Sequence, residues 1–432
     1  MERVKALVIG SGGREHTLAW ALSRDPKIDG LYVAPGNPGI AEIAKCVPIN
    51  ATKIDDLASF AKRNKIDLTV VGPEQPLALG IVDVFQKQEL LIFGPDQEAA
   101  RIETSKSFAK DLCSKFHIPT PKWQAFSDTT EAIDSLDQFG PPWVVKADGL
   151  AAGKGTTVTR DRHDAEEAVK RELQREGSRV LFEEFIDGWE ATFMATVSSG
   201  RVQWMTPAFQ DYKPVYDGDL GPNTGGMGGY TPVPTVTHSL LENVKNSILT
   251  PTVEAMKRTG VHFQGVLNLN AIIKHGTEDP YVLEFNARFG DPECQGVMAL
   301  VQDGLVEHLS LIANDANSPR APQTSSSASV VVVLASKGYP TSQSFGDRIT
   351  IHPYSAHRVR IFHAGTARNQ SGELVTGGGR VLNILATGDS VESARRDAYA
   401  VIGNAIRFDG MQYRTDIGTV ATRRRPLQVT RT

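Results

Sequence analysis

Several things are scarce in this 432-residue chain, and each scarcity removes a class of function. The three cysteines, Cys46, Cys113 and Cys294, are odd in number and far apart, so no disulfide framework and no zinc-finger spacing is present. A reducing, cytoplasmic setting is the expectation. No apolar run is long enough to span a bilayer, and MERVKALVIG enters a strand without a cleavage-type segment, so neither membrane insertion nor a signal peptide is expected. The net charge of −4 gives no basic field for nucleic acid. The short run Arg423, Arg424, Arg425 reads as a solvated tail. No Ser/His/Asp or Cys/His arrangement suggests a side-chain nucleophile. There is no internal repeat.

What is present is punctuation. KALVIG (5–10), GLYVAPGN (30–37), IDLTVVGPE (66–74) and LLIFGP (90–95) are short apolar runs ending in turn residues, with helix-like segments between them. That alternation predicts an open, largely parallel α/β sheet, whose ligands bind beyond the strands' carboxyl ends. Those ends read GSGGREH, PGN and GPE. The first has Gly10, Gly12 and Gly13 but Glu15 where the dinucleotide fingerprint needs a third glycine, and no acid ends the second strand. Free amides at the start of the following helix, with Arg14 and His16 beside them, still suit an anion; a plain tight turn is the alternative. Glu74 could accept from sugar hydroxyls.

Beyond Pro95 a single helix is expected over 102–116, then strands and helices around VVKADGLAAGKG (144–155). Lys146 ends a strand, and a glycine-rich loop with Gly153, Lys154 and Gly155 follows; mobile glycine backbone can close on phosphate, or be an ordinary loop. LFEEFIDGWE (181–190) puts Glu183, Glu184 and Glu190 around Phe185 and Ile186: a nucleotide hinge, or solvated edge charges. The stretch 211–230 has too many glycines and too few apolar anchors for a core, so a binding loop or disorder is expected. PQTSSSAS (322–329) reads as a linker, and a helix is expected over 391–406. In VLEFNARFGDPE (282–293), Glu284, Asn286 and Arg288 alternate, so one strand face carries a carboxylate, an amide and a guanidinium. Hard oxygen ligands suit Mg²⁺ beside phosphate, and the guanidinium suits a transferring phosphoryl group; a structural ion pair is the alternative.

In this order GSGGREH, VAPGN, IDLTVVGPE, VVKADGLAAGKG, EEFIDGWE, GPNTGGMGGY and LEFNARFGDPE resemble the ATP-grasp superfamily and, within it, the glycinamide ribonucleotide synthetase family of purine biosynthesis, over residues 4–420. The resemblance implies an α/β fold, α+β overall. It has an N-terminal pre-grasp parallel-sheet domain (1–102), an ATP-grasp domain (103–325) with a small lid near 121–190, and a mixed α/β C-terminal domain (326–425). It implies ATP with Mg²⁺ or Mn²⁺, and glycine and 5-phosphoribosylamine as substrates, joined through glycyl phosphate. A monomer or weak homodimer is expected, with no nucleic-acid or membrane partner.

Residue by residue, the resemblance sets Lys106 and Lys146 on the ATP phosphates, Glu183–Ile186 as adenine hinge and Glu190 on the ribose. Glu284 and Asn286 become metal ligands and Arg288 the stabiliser of the acyl phosphate. Gly12, Gly13, Arg14, Asn37, Glu74, Asp291 and Glu293 surround the phosphoribosylamine. Asp217, Asn223 and Gly226 help to place glycine and the amine. Tyr212 and Pro214 depart from the family's QDHKR pattern, Trp189 replaces an acid beside Glu190, and Asn268 or Asn270 stands where a further acidic metal ligand is common. The rivals are an ATP-dependent carboxylase of the same superfamily and a nucleotide-binding sensor without turnover.

Overall fold

The computed structural model describes residues 3–150, 155–174, 177–354 and 357–419. All four expected N-terminal strands form: β1 (Val4–Gly10), β2 (Ile28–Pro35), β4 (Leu68–Val71) and β5 (Ile92–Phe93). A short β3 (Lys45–Cys46) joins them in a parallel sheet of order β3-β2-β1-β4-β5. Ala6, Leu7, Val8 and Ile9 are fully buried, because helices cover both faces of a parallel sheet. Gly10 pairs with Pro35 and Ile9 with Val71, so the three turn motifs emerge side by side.

The helix expected over 102–116 is two helices, Arg101–Thr104 and Lys106–Lys115. Ser105 is extended (φ −138°, ψ 106°) and its hydroxyl accepts from the Phe108 amide at 3.2 Å, an N-cap that restarts the helix at Lys106. The stretch around LFEEFIDGWE forms two strands. β9 (Val180–Glu183) joins β6 (Trp123–Phe126), β7 (Trp143–Ala147) and β8 (Thr156–Thr159) in an antiparallel sheet, β6-β9-β7-β8. This small body has a core of its own, with Phe126, Leu136, Trp143, Val169 and Phe182 in it. β10 (Gly188–Ser198) instead enters the sheet β11-β10-β16-β17, with β11 at Arg201–Met205, β16 at Gly265–Lys274 and β17 at Pro280–Asn286. Residues 184–187 are therefore the strap between two sheets.

The glycine-rich stretch departs most from expectation. Its first part is an exposed hairpin, β13 (Pro214–Tyr216) with β14 (Leu220–Asn223), but β15 (Gly228–Thr231) is wholly buried. With β12 (Gln210–Asp211) it completes the C-terminal sheet, order β12-β15-β20-β25-β22, where β20 is Ala328–Ala335, β22 Val359–His363 and β25 Arg380–Gly388. A Cβ on Gly228 would stand 2.2 Å from the Val331 carbonyl oxygen, and one on Gly229 2.2 Å from that of Gln210. These glycines serve close backbone packing, not mobility. The supposed linker is short: Gln323–Thr324 pairs with Val301–Asp303, and Ala328 already begins β20. The last helix ends at Val401, and Ile406 pairs with Ile351 in a separate strand. Among the described residues no helix is long and apolar enough to cross a membrane.

Gly228 has φ +132°, so Gly228→Ala adds backbone strain to the clash with Val331. The expected cost is about 3 kcal/mol, read as a lower urea midpoint with an unchanged slope.

Candidate active site

One cleft of about 380 Å³ is walled by the N-terminal strand ends, the small antiparallel body, the β10–β16–β17 sheet and the C-terminal sheet. Its two ends differ in chemistry. One is a slot faced by Val144, Val158, Phe185 and Ile272. Leu150, Val158 and Phe185 are 43%, 50% and 39% exposed, apolar surface left open inside a cleft and suited to a flat ring. The strap residues Glu184, Phe185 and Ile186 form its back, and Glu190 stands at its edge.

Toward the middle the lining becomes cationic. Lys146, on β7, donates to Glu183 at 2.9 Å and to the Leu283 carbonyl at 3.1 Å. Lys110, from the helix Lys106–Lys115, lies 3.1 Å from the same carboxylate and donates to Thr120 and to the Val282 carbonyl. Glu183 is 1% exposed. Burial alone would raise its carboxyl, but Lys110 and Lys146 outweigh that and hold it below the usual range. Burial pushes Lys110 down to about 8 despite Glu183. Lys106 caps the Gly149 carbonyl at 2.9 Å, and burial lowers it too.

Facing these lysines is Glu284. Burial would raise its carboxyl, but Lys213, Lys106 and Lys146 hold it to about 2. One of its oxygens accepts from Asn270 Nδ2 at 2.8 Å, while Asn270 Oδ1 accepts from Thr192. Asn270 thus orients Glu284, its own oxygen being engaged. Asn268 is fully buried with neither amide atom paired among the described residues. An ionised carboxylate with one oxygen fixed, beside the Asn286 amide oxygen, is a hard donor set that fits Mg²⁺ sharing phosphate oxygens. Among the described residues no cluster of three or more His, Cys, Asp or Glu forms an all-protein cage. Such a cation needs the nucleotide to complete its shell.

Arg288 marks the junction with the second end. Its Nη2 lies 2.9 Å from Glu103 and donates to Asn286 Oδ1 at 3.1 Å, while Nη1 donates to the Phe289 carbonyl. Among the described residues its Nε has no hydrogen-bond acceptor, with Glu74 3.5 Å away. Glu103 also accepts from the Ala287 amide at 2.7 Å, so it anchors both the backbone and the guanidinium. Beyond Arg288 lie Arg14, Glu74, Asp291, Glu293, Arg380 and the Asn223–Gly225 backbone. Arg380 donates to the Gly225 and Asp291 carbonyls and pairs with the Asp291 carboxylate at 3.1 Å.

The expected residues are thus brought together at Lys106, Lys146, Gly155, Glu183–Ile186, Glu190, Asn223, Glu284, Asn286, Arg288, Arg14, Glu74, Asp291 and Glu293. Gly153 and Lys154 lie outside the described residues. Others are placed differently. Asp217 is exposed on the β13–β14 turn and accepts from the Thr415 amide and hydroxyl, away from the cleft. Asn37 spends its amide on Ser11, His363, Gly39 and Ile40, shaping the turn after β2 and holding the C-terminal part against it. Gly226 lies behind the lining, its carbonyl accepting from Arg380.

The amide of Gly12 is not free: Glu15 caps it at 2.6 Å and pairs with Arg14 at the same distance. A Cβ on Gly10 or Gly72 would meet the Glu15 side chain at 2.5 or 2.1 Å. Glu15 fills the space that a pyrophosphate takes in a dinucleotide fold, so Gly12 and Gly13 border the cleft without lining it. Trp189 packs on the core, and Tyr212 is buried under the Arg414 guanidinium, which also donates to the Pro214 carbonyl. Sequence reasoning missed Lys110, Glu103, Asp211, Lys213 and Arg380. Each meets its partner only through the fold, save Asp211 and Lys213, which stand two residues apart in the QDYKP segment.

An apolar slot behind a strap, a lysine from the small antiparallel body beside two from the helix Lys106–Lys115, and an ionised glutamate on the opposing sheet define an ATP-grasp enzyme. Family models described as Phosphoribosylglycinamide synthetase N domain, ATP-grasp (A) domain and C domain match residues 4–103, 104–294 and 329–420. A phosphoribosylamine–glycine ligase of Neisseria meningitidis serogroup B is 43% identical over 426 residues, 98% of this chain and 100% of that one. One from Vibrio vulnificus strain YJ016 is 44% identical over 429, covering 96% and 98%. The crystal structure of the Thermotoga maritima ligase superposes with a TM-score of 0.80 at 33% identity, covering 96% of this chain and all of that one. The biotin carboxylase domain of the Hydrogenobacter thermophilus 2-oxoglutarate carboxylase, solved with MgADP and bicarbonate, gives 0.71 at 15% identity over 96% of this chain and 92% of its own, a likeness of fold alone. The chain belongs to the phosphoribosylglycinamide synthetase family and is a ligase of the ATP-grasp class.

Two outcomes follow from the charge arrangement. Glu183→Ala leaves two buried ammonium groups without their counter-ion, and unfolding by urea should show a loss of about 4 kcal/mol. Glu284 sits at about 2 in the fold against an ordinary 4.5, so its contribution to stability is full above about 4.5 and fades as pH falls toward 2. The stability gap between the native chain and Glu284→Gln should therefore narrow on acidification, as measured by unfolding at a series of pH values.

Proposed function

We propose that the cleft ligates glycine to 5-phosphoribosylamine with ATP, by way of glycyl phosphate, giving glycinamide ribonucleotide, ADP and phosphate in de novo purine synthesis. The observation that carries this reading is Arg288, which joins the nucleotide end to the arginine- and acid-rich end of one continuous cleft. A glycine carboxylate oxygen attacks the γ-phosphorus, and the bond to the ADP oxygen breaks. The amine nitrogen then attacks the carbonyl carbon, phosphate leaves with the C–O bond pair, and the nitrogen gives up a proton. The ligase needs no nucleophile of its own; it aligns three substrates and keeps water from the acyl phosphate.

Lys106 and Lys146 take the ATP phosphates, with Gly149, Leu150 and Gly155 lining the cleft beside them. The segment Glu183–Ile186 reads the adenine edge and Glu190 the ribose. Glu183 acts through the two lysines that it holds. Glu284 and Asn286 would hold Mg²⁺ or Mn²⁺, which supplies charge neutralisation on the phosphate oxygens. Arg288 stabilises charge on the moving phosphoryl group. Arg14, Glu74, Asp291 and Arg380 frame the phosphoribosylamine. The expected division at 102 and 325 serves as a guide to the chain, with β12 and β15 physically part of the last sheet. A monomer or weak homodimer is the oligomeric state that goes with this reading. Three free cysteines fit a cytoplasmic setting.

A coupled ADP-release assay omitting each substrate in turn tests the reading. Release should require glycine and phosphoribosylamine together. Turnover with bicarbonate in place of glycine would favour a carboxylase instead. Arg288→Ala should retain ATP binding while kcat falls by about 10²–10³-fold; near-normal turnover would remove Arg288 from the chemistry.

A further inference from the structure

We infer that Asp148 and Ser107 are positioning residues for the phosphoryl-transfer step, an inference that rests on the glycine ligase reading. They join the small antiparallel body to the helix that begins with Lys106. Asp148 directly follows β7, and its amide is fastened to the Arg179 carbonyl of the same body at 3.0 Å. Its side chain crosses to the other body. Oδ1 accepts from the Ser107 amide at 3.2 Å and Oδ2 from the Ser107 hydroxyl at 2.6 Å. The Ser107 amide is one of the helix's opening donors, which have no partner within the helix. Ser105 caps the amide of Phe108, so the helix takes one cap from its own chain neighbour and one from the small body. A carboxylate there also meets the positive end of the helix. Arg179 completes the cluster, donating to the Ser107 hydroxyl at 3.4 Å and standing 4.0 Å from Asp148.

Neither residue lines the cleft, whereas Lys106, Lys146, Gly149 and Leu150 do. The Asp148 side chain is 10% exposed and both its oxygens are engaged, so it faces away from incoming phosphate and acts through its neighbours. Its effect falls on Lys106. Gly149, at φ +107°, turns its carbonyl to the Lys106 ammonium at 2.9 Å. That backbone setting is one that glycine takes without strain. One ammonium donor is thereby fixed, and the others remain for phosphate oxygens. Lys106 and Lys146 belong to different bodies, so their separation depends on how the bodies sit. Glu183 fixes that where the chain crosses between them; Asp148 and Ser107 fix it a second time, beside Lys106 itself. With the first alone the small body is free to rock about the crossing, which separates the lysines and admits water. A water oxygen attacking the glycyl carbonyl carbon expels phosphate with the C–O bond pair and loses a proton to solvent. Glycine is then returned and ATP consumed with no amide formed.

Steady-state kinetics on the full chain with ATP, labelled glycine and phosphoribosylamine, counting both ADP and labelled amide, tests it. The wild type should form the two in equal amounts. Asp148→Ala should raise the ATP KM about tenfold, the worth of a hydrogen bond to a charged group, with the glycine KM within about threefold of wild type. It should also release about twofold or more ADP per amide formed, because water reaches the intermediate. Ser107→Ala should move both readings the same way, by about threefold in the ATP KM, and the double variant should be no worse than Asp148→Ala, since the two residues act as one contact. A merely structural role would lower the urea midpoint without moving the ratio of ADP to amide. An unchanged ATP KM and ratio in both single variants, or additive effects in the double, would overturn the assignment. If Asp148→Ala fails to fold, Ser107→Ala decides it. Calorimetric titration with MgADP needs no turnover and should show the same weakening in each variant. No ADP release by the wild type with glycine and phosphoribosylamine would instead overturn the ligase reading, and that titration would then judge the contact by itself.

Discussion

The carboxylate of Glu183, caught between two lysines, is the contact on which the cleft depends. It is the last residue of β9, at the point where the chain leaves the small antiparallel body for the β10 sheet. Lys146 reaches it from that body and Lys110 from the main body, and both lysines also donate to adjacent carbonyls of β17. One buried charge therefore fastens three elements. Its energetic logic is asymmetric. Assembling the triad gives little net stability, because three charges leave water; breaking it strands a charge in low dielectric. Such a device specifies geometry more than it adds stability.

The same asymmetry organises the rest of the site. Most cations in the cleft have an acid partner that fixes their position without masking them fully, while Lys106 is held by the Gly149 carbonyl. Lys146 has Glu183, Lys213 has Asp211, Arg288 has Glu103 and Glu74, and Arg380 has Asp291. Glu284 has no ion-pair partner within contact distance among the described residues, only the field of three lysines and one amide donor. Polyphosphate entering this field finds cations already oriented, and Glu284 already ionised to receive a counter-cation. Little reorganisation is then needed when charge moves, which is how a fixed site lowers a phosphoryl-transfer barrier.

Legibility in the sequence tracked the range of the interaction. The strands of the first sheet were visible because burial on both faces demands continuous apolar runs, as in Ala6–Ile9. Lys146, Glu284, Asn286 and Arg288 were visible because a strand's two-residue period, or its end, placed them. Lys110 and Arg380 were not: one sits in an ordinary helix and the other in a strand of the last sheet, and their partners lie 73 and 89 residues away. Asp217 was placed by its nearness in sequence to the GPNTGGMGG loop, and the hairpin carries it out to Thr415. Glycine in 211–230 was read as looseness. Composition cannot separate glycines that free a backbone from glycines that let two backbones touch, and Gly228 and Gly229 are of the second kind.

That misreading has a structural consequence. Because β12 and β15 are strands of the C-terminal sheet, the polar hairpin between them is tied at both ends to the last third of the chain. Arg414 strengthens the tie: it is fully buried, stacks on Tyr212, donates to the Pro214 carbonyl and pairs with Asp219. The positions where the chain leaves the family's QDHKR pattern are thus used for packing, and the cation that this segment sends into the cleft is Lys213. Asp211, Lys213 and Asn223 enter the cleft from a frame braced by the C-terminal sheet, while Lys106, Lys146 and the strap enter from the other side. The two sets share no sheet. Their relative position is set where both meet the β17 segment, through Glu284, Asn286, Arg288 and Asp291. A stretch that reads as a metal and phosphoryl wall is therefore also the datum from which both halves of the site are measured.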